Sequence, residues 1–172
     1  PGAGSVAGGS AGGTDHITLG LMLKALGRNA REASYVAFAG GGPANAAILG
    51  AQVRAGISGY SEFAEQIRAG RMRALATTGE TRSDPAIPTL RESGLDVAVS
   101  NWRGVFAPPG IQPAARETLT RFITEVHALP AWKELLTTRG WDDAFLSGAE
   151  FERFLAADVA ATEGVLKELG LA

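Results

Sequence analysis

The stretch SVAGGSAGGTD, residues 5–15, sets the pattern that decides the fold: a short apolar strand, a glycine-rich turn and the start of a helix. The pattern returns as YVAFAGGG at residues 35–42 and as VRAGISGYS at residues 53–61. Short strands that alternate with helices are typical of a parallel sheet with right-handed crossovers. The sequence therefore predicts an α/β fold with a parallel-type sheet and flanking helices.

The three glycine-rich turns are expected at one edge of that sheet. The carboxyl ends of parallel strands lie together, and ligands of open α/β folds bind there. Each turn precedes a helix, whose first amide groups lack partners and whose dipole favours negative charge. We therefore expect a site for an anion, formed by three helix amino termini.

Composition excludes several classes of function. The chain has 172 residues, is 45% hydrophobic and 20% charged, and carries a net charge of −2. Its 16 Lys and Arg residues are scattered, whereas nucleic-acid surfaces cluster them, so no nucleic-acid partner is expected. The absence of Cys excludes disulfides and thiolate metal sites. No membrane span or signal peptide is visible, and because the chain opens at Pro1 without Met we interpret it as a fragment or processed piece.

Capping residues and apolar spacing predict the elements that follow each turn. The first helix is expected from the Thr14 cap to Gly27, and the second from Pro43 to Leu49, apolar on every side and therefore buried. Later elements are a third helix ending at Gly70, a strand at 73–78, an irregular segment at 79–88, a short helix opened by the Thr89–Glu92 capping box, and strands at 97–99 and 102–106.

The remainder of the chain is predicted to be mostly helical. Helices are expected at 113–128 and 130–139, followed by a long helix that begins near Ser147. The three Trp residues, 102, 132 and 141, are interpreted as core residues. We place a boundary near residues 95–100, which gives domains 1–95 and 96–172.

The first glycine-rich loop does not match the nucleotide-binding motifs. No register of it gives the dinucleotide fingerprint, and the nearest lysine, Lys24, is far into the helix instead of at the loop end. The glycines could serve only to make tight turns, but their number exceeds what a turn requires. Small residues leave the backbone approachable, as close contact with a carboxylate requires.

Side chains near the three turns complete the candidate site. His16 could donate to an anion or only pack at the turn, and both alternatives stay open. Asp15 is interpreted as a first-turn acid that complements the helix dipole. The turns hold no nucleophile with a base, no Lys and no paired acids, so they are expected to hold a carboxylate without transforming it. The candidate ligand-binding residues are Ser10, Gly12, Gly13, Thr14, His16, Phe38, Gly40, Gly41, Ser58 and Tyr60. No metal site and no cofactor are expected.

An ordered series of segments resembles one known family. The segments are GGSAGGTDH (8–16), YVAFAGGG (35–42), RMRALA (71–76), IPTL (87–90), NWRGVFAP (101–108) and GWDD (140–143). Together they are similar to the Bug/TctC substrate-binding proteins of tripartite tricarboxylate transporters, over essentially the whole chain. The first loop resembles the tricarboxylate-binding branch more than the general family.

The resemblance implies a two-lobed periplasmic receptor of the Venus-flytrap type (type II periplasmic-binding-protein fold). It would hold a small carboxylate between its lobes and deliver it to membrane permease subunits. Residues 1–95 would then form most of the second lobe, and residues 96–172 the returning helical part of the first. The chain departs from many members at Ser58-Gly59, where they carry Asp-Asn. A half receptor would leave apolar surface exposed, so self-association is expected.

Two other classes of function are weighed against a receptor. One is an α/β enzyme domain that acts on a small phosphorylated or carboxylated metabolite. The other is a structural domain that binds nothing. The shortage of ionisable groups in the glycine turns favours the receptor.

Overall fold

A computed structural model describes residues 4–172, so that residues 1–3 of the predicted first domain lie outside the described residues. Two compact units are present: residues to Asn101 together with Ala161–Ala172, and Trp102–Ala160. The strands are β1 (Val6–Gly8), β2 (Tyr35–Ala37) and β3 (Ala55–Gly56), and the helices are α1 (Thr14–Ala25), α2 (Gly41–Leu49), α3 (Tyr60–Arg68), α4 (Pro113–Ala128), α5 (Pro130–Arg139) and α6 (Gly148–Leu169). The proposed division into lobes at residues 95–96 stays a prediction.

The first unit is built on a three-stranded parallel sheet of order β2-β1-β3. Val6 pairs with Tyr35 on one side and with Ala55 on the other. The chain therefore leaves β1 for one neighbour and crosses back to the other, which creates a topological switch point at the carboxyl end of β1. The predicted parallel sheet is confirmed, although β3 is shorter than the sequence pattern indicated.

Small residues bring α2 close to the sheet. Ala7 on β1 is completely buried, and it packs with Ala44 and Ala47 of α2 and with Val53. Phe38 and Ile48 lie at the margin of this cluster. The prediction that α2 is buried all round was wrong, because Leu49 and Ala46 are exposed. An alanine-rich helix needs only one face for such close packing, and its other residues meet solvent.

Several elements predicted after residue 70 differ in the structure. Residues 73–78, 97–99 and 102–106 are not strands among the described residues; only a parallel bridge joins Thr77 to Thr89. These segments have the composition of strands, but no neighbouring strand lies where they could pair with it. Composition alone does not determine whether such a partner is present. The capping-box bonds between Thr89 and Glu92 do form, at 2.8 and 3.1 Å, yet they close a turn and not a helix.

The second unit contains α4, α5 and the first part of α6, with the predicted bounds of α4 and α5 confirmed. Trp102 packs edge-on against Phe154, with ring centroids 5.4 Å apart, and its indole N–H donates to Asp158 (3.3 Å). Trp141 was wrongly predicted to be in the core, since it is 52% exposed. Neither α4 nor α5 contains a buried residue.

We expect the chain to self-associate through this second unit. Eight large apolar residues are exposed there: Val105, Phe106, Leu119, Phe122, Leu129, Leu135, Trp141 and Val159. A concentration of exposed apolar surface favours association, whereas single exposed residues are ordinary. Light scattering should give a mass above that of one chain. Phe122→Glu should lower this mass, and Leu26→Glu, at an equally exposed position of the first unit, should not. A monomeric wild-type chain at high concentration would contradict this expectation.

Candidate functional site

Three helices begin at the carboxyl edge of the sheet, and a glycine precedes each of them as its N-cap. The N-cap residues are Gly13 for α1, Gly40 for α2 and Gly59 for α3, and none of these helix starts has a side-chain cap. The prediction that Thr14 caps α1 was wrong, because Thr14 is already the first helical residue. Likewise, α2 begins at Gly41 and not at Pro43. Three uncapped amino termini leave backbone amides for a ligand.

The first loop folds back on itself just before α1. The Gly13 N–H donates to the Ser10 carbonyl oxygen (3.0 Å), which closes a four-residue turn. Gly12, at the third position of that turn, has a φ of +76°, as in a type II turn. Glycine adopts this conformation without the strain that a Cβ atom would add.

Two side chains of α1 accept hydrogen bonds from further amides of this loop. The Gly12 N–H donates to Nδ1 of His16 (3.2 Å), and the Gly9 N–H donates to a carboxylate oxygen of Asp15 (2.8 Å). The amides of Gly12 and Gly13, which the sequence suggested for the ligand, therefore have partners within the chain. Ile17 makes the first backbone bond of the helix, to Gly13 (3.0 Å), so the amides of residues 14–16 have no acceptor in the helix.

His16 both packs and forms a hydrogen bond. Its ring stacks on Tyr35 at a centroid distance of 4.3 Å and an interplanar angle of 2°. Because Nδ1 accepts from Gly12, the proton of the neutral ring resides on Nε2. Burial lowers the pKa of His16, which favours this neutral form. The ring can then offer one donor, Nε2–H, to an acceptor.

Two first-turn carboxylates, those of Asp15 and Glu62, lie at the same edge of the sheet. Asp15 is half-buried under Gly9, and the side chain of exposed Glu62 lies over Gly41, where it would collide with any added Cβ. Burial raises the pKa of the Asp15 carboxyl, and the charge of Glu62 adds to this effect. Both residues stand in the first turn of helices that start at this edge. This signal identified Asp15 in the sequence, and it could have revealed Glu62 as well.

The other predicted site residues occupy different surroundings. Ser10 is exposed at the tip of the first loop, and Gly40, with a φ of +93°, is exposed at the second turn. Phe38 packs against the core cluster. In the third turn Ser58 is half-buried, and the Tyr60 hydroxyl lies 3.3 Å from Asp84 Oδ2. The ligand-contacting role of each residue stays a prediction.

The pKa of Asp15 leads to a prediction about stability. A raised pKa means that the folded chain binds more protons than the unfolded chain at pH values between the ordinary and the raised pKa. The free energy of unfolding therefore falls as pH rises through that window. Asp15→Asn keeps an acceptor for the Gly9 N–H but removes the charge, so it should raise the melting temperature at pH 7.

Melting curves of both proteins between pH 4 and pH 8 test this prediction. The advantage of the Asn variant should grow with pH. Asp15→Ala, which lacks the acceptor, is the control and should gain less. A variant whose melting temperature follows that of the wild type at every pH would contradict the expected penalty of the charge.

The described residues lack two other features, a membrane-spanning helix and a metal-binding cluster. Within residues 4–172, no helix is long and apolar enough to cross a bilayer. The same residues contain no group of three or more His, Asp or Glu side chains placed to hold a metal ion. The second histidine, His127, belongs to the other unit, where it pairs with Asp143 at 2.9 Å.

The family comparison matches nearly the whole chain. Residues 1–171 match the model of the family described as "Tripartite tricarboxylate transporter family receptor", TctC. Protein BugT of Bordetella pertussis is 32% identical over 140 residues, which are 80% of this chain and 43% of that protein. A protein from the gbd 5' region of Cupriavidus necator is 26% identical over 158 residues, covering 90% of this chain and 48% of the relative. The chain thus spans about half the length of these relatives.

Solved structures show the same fold. A TctC solute binding protein from Polaromonas, crystallised without ligand, matches with a TM-score of 0.76 at 24% identity, over 96% of this chain and 57% of that protein. A protein from R. palustris, solved with adipate, matches with a TM-score of 0.77 at 24% identity, over 97% and 56%. At this identity the likeness shows the fold, and the predicted α/β binding-protein fold is confirmed.

Proposed function

Because this chain belongs to the tripartite tricarboxylate transporter receptor (TctC) family, we propose that it forms one face of a receptor site for small di- or tricarboxylates. The carrying observation is the set of three helices that start, without side-chain caps, at one edge of a parallel sheet. This edge is where ligands of open α/β folds bind. The ligand is citrate-like in charge and size, and no cofactor takes part.

The amino terminus of α1 supplies the main binding groups. Residues 14–16 offer three amides without helical acceptors, and neutral His16 adds its Nε2–H. A hydrogen bond to a charged group contributes about 1.5–3 kcal/mol, and a helix dipole adds about 0.3–1 kcal/mol. Two such bonds and the dipole suffice for millimolar binding, which needs about 4 kcal/mol.

The carboxylates at the edge limit how much negative charge the site takes. Glu62 lies over the first residue of α2, so its own carboxylate already occupies part of that helix start. A ligand that carries separate carboxylates on a flexible chain can keep one at α1 and place another away from Glu62. The neighbour solved with adipate, a dicarboxylate, is in keeping with such a ligand.

The partners follow from the family. The receptor passes its carboxylate to the permease subunits of a tripartite tricarboxylate transporter, and it works in the periplasm. An enzyme domain is not favoured, because the matching family is one of receptors. Nucleic acid is not a partner.

A thermal-shift panel tests the proposal. Citrate, adipate and succinate should raise the melting temperature of the chain, and glucose and putrescine should not. Product analysis of the same mixtures should show the acids unchanged. The panel must reach millimolar concentrations, because the binding groups of α1 account for about 4 kcal/mol. Tighter binding of glucose than of any acid, or turnover of an acid, would refute the receptor.

A further inference from the structure

Tyr35 contacts the first glycine loop in ways that the sequence pattern did not predict. Its hydroxyl donates to the Gly9 carbonyl oxygen (2.8 Å), and its ring lies against Gly8. An ideal Cβ on Gly8 would come within 2.8 Å of the Tyr35 ring, so Gly8 must lack a side chain for Tyr35 to reach the loop. The hydroxyl and ring thus hold the loop where it leaves β1.

The same ring supports the far part of the loop through His16. His16 stacks on Tyr35, and its Nδ1 accepts the Gly12 N–H. Tyr35 therefore acts on Gly9 directly and on Gly12 through the imidazole. These two contacts fix both sides of the turn that ends at Gly13, the N-cap of α1.

We propose that Tyr35 is a positioning residue that holds the glycine loop in its binding conformation in the free protein. The first amides of α1 are then oriented for the carboxylate before it binds. This inference rests on the proposed function. It also assigns the Gly12 amide to His16 and not to the ligand. A loop that is already ordered does not have to lose conformational freedom when the ligand binds.

The chemistry of Tyr35 suits this role. Burial raises the pKa of Tyr35 to about 12, with Asp15 adding a smaller effect. The hydroxyl therefore remains a donor throughout the physiological pH range. The groups that face it are Asp15, neutral His16 and the Gly9 carbonyl, and the Gly9 carbonyl oxygen accepts the hydrogen bond of the hydroxyl.

Tyr35→Phe separates the hydroxyl from the ring. It should weaken adipate binding about fivefold, the effect of one neutral hydrogen bond. Tyr35→Leu removes the ring as well and should weaken binding by tenfold or more. Thr78→Val is the matched control, because the Thr78 hydroxyl also donates to a backbone carbonyl, that of Val99, at 2.8 Å. Thr78→Val should lose about as much stability as Tyr35→Phe, and it should bind adipate like the wild type.

Two spectroscopic measurements distinguish positioning from a general loss of stability. Hydrogen exchange of the Gly12 amide should be faster in Tyr35→Leu than in Thr78→Val when each variant is measured at the same interval below its own melting temperature. The imidazole nitrogen shifts of His16 should report the Nε2–H tautomer in the wild type and a mixture in Tyr35→Leu. If Tyr35→Leu fails to fold, adipate binding by Tyr35→Phe, compared with Thr78→Val, decides the matter.

The outcomes also separate this proposal from the proposed function. If the wild type binds neither adipate nor citrate, the receptor function fails, and Gly12 exchange still judges the role of Tyr35. Wild-type affinity in both Tyr35 variants, or unchanged Gly12 exchange in Tyr35→Leu, would overturn the positioning role.

Discussion

Gly13→Val is expected to reduce carboxylate affinity by about 100-fold or more, which corresponds to about 2.7 kcal/mol. Gly13 has an ordinary extended backbone, with φ −78° and ψ 176°, so valine can occupy it without backbone strain and α1 should still form. An added Cβ, however, would lie 3.0 Å from the Ser10 carbonyl oxygen. The Ser10 carbonyl must therefore give by a few tenths of an ångström, and the branched side chain stands beside the free amides of α1.

His16→Gln is the comparison for this variant. A glutamine amide can both accept from Gly12 and donate to a ligand, so the loss should be about tenfold or less. Calorimetric titration with adipate at one pH measures both variants. If His16→Gln abolishes binding while Gly13→Val binds normally, the site is made by the histidine and not by the backbone.

Ala44→Asp is expected to prevent stable folding of the first unit. Ala44 is 2% exposed and packs with Ala7 at the centre of the sheet. A buried carboxylate without a partner costs about 3–5 kcal/mol, which is a large part of the 5–15 kcal/mol typical of a domain. Denaturant unfolding, followed by circular dichroism, should show an early and broad transition.

Ala46→Asp provides the matched control on the same helix. Ala46 is exposed, two residues further along α2. Its substitution should change the free energy of unfolding by about 0.5 kcal/mol or less. Equal effects of the two substitutions would mean that α2 does not pack on the sheet through Ala44.

The elements with complete local signals could be predicted from the sequence. Pro113, Pro130 and Gly140 mark the limits of α4 and α5, and these limits are found in the structure. The three strand–turn–helix units were also predicted, because each combines an apolar run with a glycine-rich turn, but the starts of α1 and α2 and the length of β3 differ in the structure. Local chemistry is sufficient where it determines both the start and the end of an element.

Elements that depend on a distant partner could not be predicted in this way. Residues 97–99 have strand-like composition, yet the Val99 amide bonds only to Thr78 (2.8 Å) and no ladder forms. The exposure of Trp141 likewise depends on what packs against it. A residue type indicates which environment its side chain favours, but only the tertiary structure determines whether the side chain lies in that environment.

The sequence predicted the helix starts at one sheet edge, but it did not predict the contacts made there. Helix starts at one sheet edge follow from the order of elements, and this part of the prediction needed only the repeated pattern. The contact of Tyr35 with Gly9 joins residues that are 26 positions apart in the chain. No spacing rule relates these two residues. The sequence therefore did not predict that the loop amides form hydrogen bonds within the chain.

Amide chemical shifts during an adipate titration test the central claim most directly. If the carboxylate binds at the amino terminus of α1, the amide signals of Thr14, Asp15 and His16 should change most, and Gly12 should change little because it already bonds to His16. Saturable changes confined to other residues, with these three signals constant, would contradict a carboxylate site at this edge of the sheet.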